Sequence, residues 1–197
     1  MTPKLIVVSG SSGAGKSSVL RLLEDEGYYC VDNLPPRLLP ELLGEISDNS
    51  DYERFRGIVV CVDARTVGFE PEDTPAALEQ LLSFPDRMII FLDAQPQVLL
   101  KRFSETRRRH PLAGPHNSLP EAIAKERKRL EFIAAKADLI VDTTDLTPNA
   151  LRDRITTRMA NRRDGLSILI ESFAFKRGVP TDADFVFDAR ALPNPYW

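Results

Sequence analysis

Short apolar runs rich in β-branched residues alternate with longer stretches whose apolar residues recur at helical spacing. The apolar runs predict five strands, at residues 5–8, 28–32, 58–62, 88–92 and 139–141. The longer stretches predict helices at residues 17–26, 37–46, 96–109, 118–137 and 147–161, with a further helix beginning at Thr74. Strands nearly bare of polar residues and separated by helices are typical of a parallel sheet covered on both faces. The pattern therefore predicts an α/β, three-layer fold with a five-stranded parallel sheet.

The pattern changes after Gly165. Residues 166–170 and 185–187 resemble strands, but no helical stretch lies between them. About 30 residues are too few to bury a core of their own, so this segment is either the beginning of a second domain or an addition to the edge of the first. We expect a first domain at residues 1–163 and the beginning of a C-terminal domain, largely missing, at residues 164–197.

Composition narrows the choice of partners and compartment. Of the 197 residues 43% are hydrophobic, and the formal net charge is only −3. Global charge therefore favours neither nucleic acid nor a membrane, and any anion-binding surface must be a local patch. No apolar run approaches the roughly 18 residues of a membrane span. Cys30 and Cys61 lie in apolar, strand-like runs, which favours two reduced, buried thiols and a cytoplasmic protein.

A phosphate-loop motif connects the first predicted strand to the first predicted helix. Its pattern, G-x-x-x-x-G-K-[ST], is fulfilled by Gly10, Ser11, Ser12, Gly13, Ala14, Gly15, Lys16 and Ser17. Glycines allow successive backbone N–H groups to face phosphate oxygens, and the following helix adds the positive end of its dipole. In this pattern Lys16 contacts the β- and γ-phosphates, and the hydroxyl of Ser17 binds Mg²⁺. The sequence therefore predicts a P-loop NTPase domain that binds ATP or GTP.

Metal binding requires a carboxylate in addition to the phosphate loop. Asp32, Asp63 and Asp93 each end a predicted strand, and the carboxyl ends of parallel strands face the ligand crevice. Each could instead be a turn residue. We favour Asp63 as metal ligand and, with Lys16, as catalytic residue, because it closes the longest apolar strand and is followed by Arg65. Asp93 is the second choice, and Asp32 could serve as a base or bind an acceptor.

Basic residues concentrate between residues 101 and 129, where nine Lys or Arg accompany only three Glu. Kinase-like P-loop proteins place mobile arginines over the phosphates in such a segment. We therefore predict phosphate contacts from Arg102, Arg107, Arg108 and Arg109, and residues 102–109 are called the arginine segment below. Residues 111–120 contain three prolines and suit a lid loop. Residues 125–129 are interpreted as a solvated helix face, because acidic residues adjoin their basic ones.

The motifs together resemble a known family. The phosphate loop and the segment G-Y-Y-C-V-D-N-L-P at residues 27–35 look like the start of the RapZ family of bacterial RNase adapter proteins. The resemblance continues through D-A-R at 63–65, F-L-D-A at 91–94, T-R-R-R-H-P-L at 106–112, A-D-L-I-V-D-T at 137–143, E-S-F-A-F-K-R-G-V-P at 171–180 and the stretch 182–197. It therefore spans nearly the whole chain.

The resemblance to the RapZ family implies which nucleotides the chain binds and which partners the full-length protein has. It implies ATP at residues 10–17 and a GTP-binding patch at Asp63, Ala64, Arg65 and Thr66. The family's patch usually reads Asp-Val-Arg-Asn, so this sequence departs from it at Ala64 and Thr66. It also implies that the full-length protein binds small regulatory RNA and presents it to an endoribonuclease, through a C-terminal domain of roughly another hundred residues. The present chain would keep the nucleotide site and lose most of the RNA binding.

Three functions remain open. The first is a regulatory nucleotide-binding module with weak ATPase or GTPase activity from Lys16, Ser17, Mg²⁺ and Asp63, in which Arg107 and Arg108 clamp the phosphates. The alternative is a small-molecule kinase that uses ATP-Mg, which the arginine segment and Asp32 also fit. The third is an RNA-binding module, although aromatic residues that would stack on bases are nearly absent from the arginine segment. The sequence does not indicate whether ATP or GTP is preferred, or whether the protein is a monomer or a homo-oligomer.

Overall fold

The strands form a single parallel sheet. The computed structural model describes residues 5–66, 82–84, 86–160, 170, 172–180, 183 and 185–188. Within these residues the strands are β1 (Leu5–Gly10), β2 (Tyr29–Val31), β3 (Ile58–Cys61), β4 (Arg87–Asp93) and β5 (Leu139–Asp142). Neighbouring strands are parallel, and their order across the sheet is β2-β3-β1-β4-β5. The predicted five-stranded parallel sheet is confirmed.

Helices follow the strands, as a parallel topology requires. The described α-helices with complete bounds are α1 (Lys16–Asp25), α2 (Leu39–Asp48), α3 (Pro96–Thr106), α4 (Leu119–Ala134) and α5 (Pro148–Ala160). Short 3₁₀ helices occur at Pro36–Leu38, Ser50–Tyr52 and Phe175–Arg177. The helix predicted to begin at Thr74 lies outside the described residues. Over the described ranges, every helix is too short or too polar to cross a membrane.

The ends of two helices near the arginine segment test the predicted boundaries. Helix α3 ends at Thr106 rather than at residue 109, because Arg107 has a left-handed backbone conformation with φ of 52°. Helix α4 begins with the predicted capping box, in which the N–H of Ser118 donates to the carboxylate of Glu121 at 2.8 Å. It ends at Ala134, earlier than the predicted residue 137. Because α3 ends at Thr106 rather than at residue 109, the segment between α3 and α4 is longer than predicted.

Alternate side chains of each strand enter cores on opposite faces of the sheet. Ile6 and Val8 of β1 pack in one core with apolar residues of α1, α3 and α5. Leu5 and Val7 pack in the other core with α2 and the C-terminal half of α4. This alternation follows from the two-residue period of a strand. The two cores make the predicted three layers and leave the carboxyl ends of β1, β3 and β4 at one edge of the sheet.

The described residues beyond α5 lack the burial of a sheet. Residues 185–188 form neither helix nor strand, so the strand predicted at residues 185–187 is wrong. Phe185 and Phe187 are 81% and 84% exposed. Apolar residues in an extended segment form a strand only where a neighbouring strand pairs with them, and no described residue does so here. The strand predicted at residues 166–170 lies, apart from Ile170, outside the described part of the chain.

Candidate phosphate-binding site

Three glycines shape the loop between β1 and α1. Gly10, Gly13 and Gly15 have φ of 138°, 86° and 106°, a range that side chains disfavour. Gly10 also lies directly against the backbone of β4, because a Cβ built on it would be 2.0 Å from the carbonyl oxygen of Leu92. The first residue of the motif is therefore fixed by the packing of two strands as well as by the course of the loop.

The loop presents unpaired backbone donors to a cleft. Within the described part of the chain, the N–H groups of Gly13, Gly15, Lys16 and Ser17 make no hydrogen bond. Those of Lys16 and Ser17 belong to the first turn of α1, where the helix itself offers no acceptor. All four residues line a cleft of about 530 Å³. Such an array at a helix N-terminus is suited to phosphate oxygens.

Lys16 is held in the loop by backbone carbonyl groups. Its Nζ donates to the oxygens of Gly10 at 2.7 Å and Ser11 at 3.2 Å, although the residue is only 7% exposed. The same Nζ lies 3.7 Å from Oδ2 of Asp63, which is 1% exposed. Lys16 and Asp63, predicted separately from the sequence, therefore meet in one cleft.

Arg65 binds the carboxylate of Asp63. Its Nε and Nη2 donate to Oδ2 at 3.0 and 2.7 Å, and its backbone N–H donates to Oδ1 at 2.8 Å. Burial alone would raise the pKa of Asp63, but the hydrogen bonds from Arg65 and the charge of Lys16 hold that pKa below its ordinary value. The carboxylate is therefore ionised at neutral pH.

The segment from Asp63 to Thr66 contacts both the phosphate loop and Asn33, which follows β2. The Oγ1 of Thr66 accepts from the N–H of Asp63 and donates to Oδ1 of Asn33, both at 3.1 Å. Ala64 is buried, whereas Asp63 and Arg65 line the same cleft as the phosphate loop. Parts of the two segments to which the resemblance assigns ATP and GTP thus line a single cleft.

The other two strand-end carboxylates have different surroundings. Asp93 accepts a hydrogen bond from Oγ of Ser11 at 2.7 Å and is paired with Arg127. Asp32 is exposed and lies 3.9 Å from Nη2 of Arg65. Among the described residues that line the cleft, the only strand-end carboxylate is that of Asp63.

The predicted arginines take different positions. Arg108 and Arg109 line the cleft. Arg102 lines it as well, and its Nη1 donates to the carbonyl oxygen of Gly13 at 3.1 Å, so it also supports the loop. Arg107 is exposed in the turn that ends α3 and is not among the described lining residues. Phosphate contact stays a prediction for all four arginines, of which Arg102, Arg108 and Arg109 are at the cleft.

Helix α4 carries two side chains, Glu126 and Arg127, that support the site and were not predicted to do so. Residues 125–129 are interpreted from the sequence as a solvated helix face. This is wrong at Glu126, which is 0% exposed, and at Arg127, which forms an ion pair with Asp93. A signal for burial was present in the sequence. Glu126 lies between Ile123 and Leu130 at the spacing of the buried helix face, because residues three and four apart share one side of a helix.

Glu126 connects the phosphate loop to the arginine segment. It accepts hydrogen bonds from the N–H and Oγ of Ser12, at 2.8 and 2.6 Å, and contacts Nε2 of His110 at 3.0 Å. Burial alone would raise the pKa of Glu126, but the hydrogen bonds from His110 and Ser12 and the charge of Lys16 hold that pKa below its ordinary value. The carboxylate is therefore ionised although it is buried.

Four successive loop residues are thus held by side chains that come later in the sequence. The pairs are Ser11 with Asp93, Ser12 with Glu126, the carbonyl of Gly13 with Arg102, and the carbonyl of Ala14 with Oγ1 of Thr143 at 3.0 Å. All four supporting residues come well after the loop in the sequence, between residues 93 and 143.

Comparison with known sequences identifies the family. Residues 3–163 match the family model of the RapZ-like N-terminal domain. The chain belongs to the RapZ-like family. Residues 166–197 match the model of the RapZ C-terminal domain. The resemblance found in the sequence is therefore confirmed over almost the whole RapZ-like chain.

Two curated relatives show how much of the sequence is shared. The "Nucleotide-binding protein" of Colwellia psychrerythraea (strain 34H) is 48% identical over 195 residues, which cover 98% of this chain and 67% of the relative. The protein of the same name from Pseudomonas fluorescens (strain SBW25) is 50% identical over 196 residues, which cover 98% of this chain and 68% of the relative. The RapZ-like chain thus spans about two thirds of the length of these relatives.

Solved structures support the same fold. A shikimate kinase from Acinetobacter baumannii, in complex with shikimate, has a TM-score of 0.53 and 14% identity, and the match covers 83% of this chain and 97% of the kinase. A sugar kinase from Janibacter sp. HTCC2649 has a TM-score of 0.53 and 18% identity, with 80% and 95% covered. The predicted P-loop, kinase-like α/β fold is confirmed for this RapZ-like chain.

Acid is expected to destabilise the RapZ-like fold through Glu126. Because its pKa is lower in the folded than in the unfolded chain, its stabilising contribution is present above the ordinary value of 4.5 and is lost as the pH falls through the folded pKa. Asp63 acts in the same direction below its ordinary value of 3.8. Urea unfolding followed from about pH 6.5 to about pH 3.5 should therefore show a falling free energy of unfolding, with a smaller fall in Glu126→Gln.

The control for this measurement is Glu131→Gln, which removes an exposed carboxylate from the same helix. It should follow the wild type across the acid range. Equal pH dependence in the wild type and in Glu126→Gln would contradict the assignment of an ionised, hydrogen-bonded carboxylate at this position.

Proposed function

We propose that this chain is the nucleotide-binding part of a regulatory P-loop protein of the RNase adapter type, which binds ATP or GTP with Mg²⁺ and hydrolyses it slowly. One observation carries the proposal: the unpaired N–H groups of the loop, Nζ of Lys16 and the ionised Asp63 converge on one cleft. The name of the two relatives, "Nucleotide-binding protein", supports it.

The loop supplies the phosphate contacts. Phosphate oxygens would accept hydrogen bonds from the N–H groups of Gly13, Gly15, Lys16 and Ser17. On binding, Lys16 would exchange its two neutral carbonyl acceptors for charged phosphate oxygens, which form stronger hydrogen bonds. Arg108, at the wall of the cleft, would add a second cation. The proposal therefore uses donors that have no acceptor, or a weaker one, among the described residues.

The oxygen donors at the cleft fit a magnesium ion. The exposed hydroxyl of Ser17 and the ionised carboxylate of Asp63 both line the cleft. Mg²⁺ is usually held by one or two such protein groups together with phosphate oxygens and water. When bound, the ion would neutralise charge on the phosphate oxygens. Ser17 and Asp63 are accordingly the proposed metal-binding residues.

Slow hydrolysis is proposed because the described residues of the cleft offer no spare base. Among the described residues that line it, Asp63 carries the only carboxylate, and Arg65 binds that carboxylate with three nitrogen donors. A group that positions or deprotonates an attacking water must be able to accept its proton. The geometry therefore favours a nucleotide switch over a rapid phosphatase.

ATP and GTP are proposed to compete for this cleft. Asp63 and Arg65 belong to the patch to which the resemblance assigns GTP, and they lie at the same cleft as the phosphate loop. A second triphosphate would then have to share the Lys16 region with the first. The two nucleotides are therefore alternative ligands of a single site.

The nucleotide state is proposed to control RNA binding in the full-length, cytoplasmic protein. The match of residues 166–197 to the RapZ C-terminal domain supports a second domain in that protein. In this proposal small regulatory RNA and an endoribonuclease are partners of the full-length form, and bound nucleotide determines whether RNA is presented for decay.

The alternative is a small-molecule kinase that uses ATP-Mg. Asp32 favours it, because this exposed carboxylate follows β2 and lies 3.9 Å from an arginine that lines the cleft. Such a carboxylate could accept a proton from an acceptor hydroxyl. An acceptor that accelerates ATP consumption, and that mass spectrometry shows to be phosphorylated, would establish the kinase. A broad acceptor panel without effect would exclude it.

Calorimetry with separate nucleotides tests the proposal. ATP and GTP, each with Mg²⁺, are expected to bind with one-to-one stoichiometry, whereas adenosine, which lacks phosphates, is expected not to bind. GTP added to ATP-saturated protein should release no additional heat of binding at a second site. Phosphate release in the same samples should be far slower than the roughly 10 s⁻¹ of a typical enzyme. Failure of both nucleotides to bind would overturn the proposed function.

A further inference from the structure

A buried polar cluster lies between the phosphate loop and the arginine segment. It consists of Ser12, His110 and Glu126, which are 7%, 3% and 0% exposed. Glu126 accepts from the N–H and the Oγ of Ser12 and contacts Nε2 of His110, with all three distances between 2.6 and 3.0 Å. Both carboxylate oxygens are therefore occupied by protein donors.

The other ring nitrogen of His110 fixes the direction of the hydrogen bond to Glu126. Nδ1 accepts from the N–H of Leu112 at 3.1 Å, so the ring proton lies on Nε2 and is donated to Glu126. The ring also packs against Phe103 of α3, with the ring centres 5.1 Å apart. His110 is thus fixed on two sides, by a carboxylate and by an aromatic ring.

The carboxylate of Glu126 is buried, which is costly unless good hydrogen bonds offset the loss of water. Here Ser12 and His110 supply those hydrogen bonds. What the cluster achieves is geometric. It joins Ser12 of the phosphate loop to His110, which directly follows Arg108 and Arg109 at the wall of the cleft.

The Ser12 hydrogen bonds also determine which donors remain for a ligand. Because Glu126 occupies the N–H of Ser12, that group cannot bind a phosphate oxygen, whereas the N–H of Gly13 remains unpaired among the described residues. Glu126 therefore sets where the phosphate-facing part of the loop begins.

We propose that Glu126 and His110 are positioning residues that tie the phosphate loop at Ser12 to the arginine segment, so that Arg108 is held at the phosphates of a bound nucleotide. This inference rests on the proposed nucleotide binding. Glu126 acts through Ser12, and His110 acts through Arg108, without either residue touching the ligand.

A double-mutant cycle tests the link between His110 and Arg108. In the wild type, Arg108→Ala is expected to weaken ATP binding in Mg²⁺ about tenfold, the effect of losing one charged hydrogen bond. In the His110→Ala protein, already weakened about tenfold, the same change should cost less than about twofold, because Arg108 is no longer held in place. Additive effects of the two substitutions would overturn the proposal.

Conservative and control variants separate positioning from folding. His110→Gln keeps an N–H that can reach Glu126 and should restore ATP binding to within about threefold of the wild type. His116→Ala, an exposed histidine of the same loop, should bind like the wild type. If His110→Ala does not fold, His110→Asn, whose side chain is too short to reach Glu126, takes its place in the cycle.

The outcomes distinguish this inference from the function on which it rests. If the wild type binds neither ATP nor GTP, the proposed function fails, and this inference fails with it. If the wild type binds ATP but the cycle is additive, or His110→Gln binds no better than His110→Ala, the inference alone fails. Coupling in the cycle together with rescue by His110→Gln supports it.

Discussion

Replacing Lys16 by alanine is expected to lower the affinity for ATP in Mg²⁺ by at least about 100-fold, or about 2.7 kcal/mol. The side chain would contribute a cation within a largely buried site, where charge-assisted hydrogen bonds are strong. Its present acceptors, the carbonyl oxygens of Gly10 and Ser11, show that Nζ already lies at the loop. Calorimetric titration of both proteins measures the difference.

The matched control is Lys128→Ala, which removes an exposed lysine of α4 that does not line the cleft. Its affinity for ATP should remain within about twofold of the wild type, because surface charges away from a site contribute little. Circular dichroism must show that both variants are folded. A folded Lys16→Ala protein with wild-type affinity would remove the phosphate loop from the nucleotide site.

The substitution Gly10→Ala is expected to lower the free energy of unfolding by more than about 3 kcal/mol or to abolish cooperative folding. The added methyl group would lie 2.0 Å from the carbonyl oxygen of Leu92, which is backbone of the neighbouring strand and cannot rotate away. The φ of 138° adds conformational strain for any residue with a side chain. Urea unfolding monitored by circular dichroism measures the loss.

Gly44→Ala provides a control of opposite sign. Gly44 lies inside α2, and apart from the adjacent backbone of the helix itself no described atom lies within 4 Å of a Cβ built on it. Alanine there should raise the free energy of unfolding by about 0.5–1 kcal/mol, since glycine is a poor helix former. A Gly10→Ala protein as stable as the wild type would contradict the close packing of the loop against β4.

The phosphate loop and the sheet were predictable because their information is local. The motif residues from Gly10 to Ser17 are contiguous, and each strand carries its own apolar run. The support from Glu126 was not predictable in this way, because Ser12 and Glu126 are 114 positions apart and meet only through the packing of α4 on the sheet. The helical spacing at Ile123 and Leu130 indicated burial, but not the partner.

Two other features show where a local pattern is insufficient. The run that forms β5 is as apolar as the central strands, yet Ile140 is 44% exposed because β5 lies at the edge of the sheet. The end of α3 depends on the left-handed conformation of Arg107, which is uncommon for this residue type and leaves no mark in the apolar pattern. Strand order and backbone exceptions are properties of the assembled fold.

The later-sequence supports of the phosphate loop have a consequence for biosynthesis. The loop leaves the ribosome early, but the side chains that hold Ser11, Ser12 and the two carbonyl groups after them follow only at residues 93–143. Strand β1, which leads into the loop, also lacks its neighbour β4 until residue 93 has been made. A nascent chain that ends before residue 143 contains the complete motif but not all the contacts that hold the loop. Nucleotide is therefore expected to stabilise the domain only after nearly all of it has been synthesised.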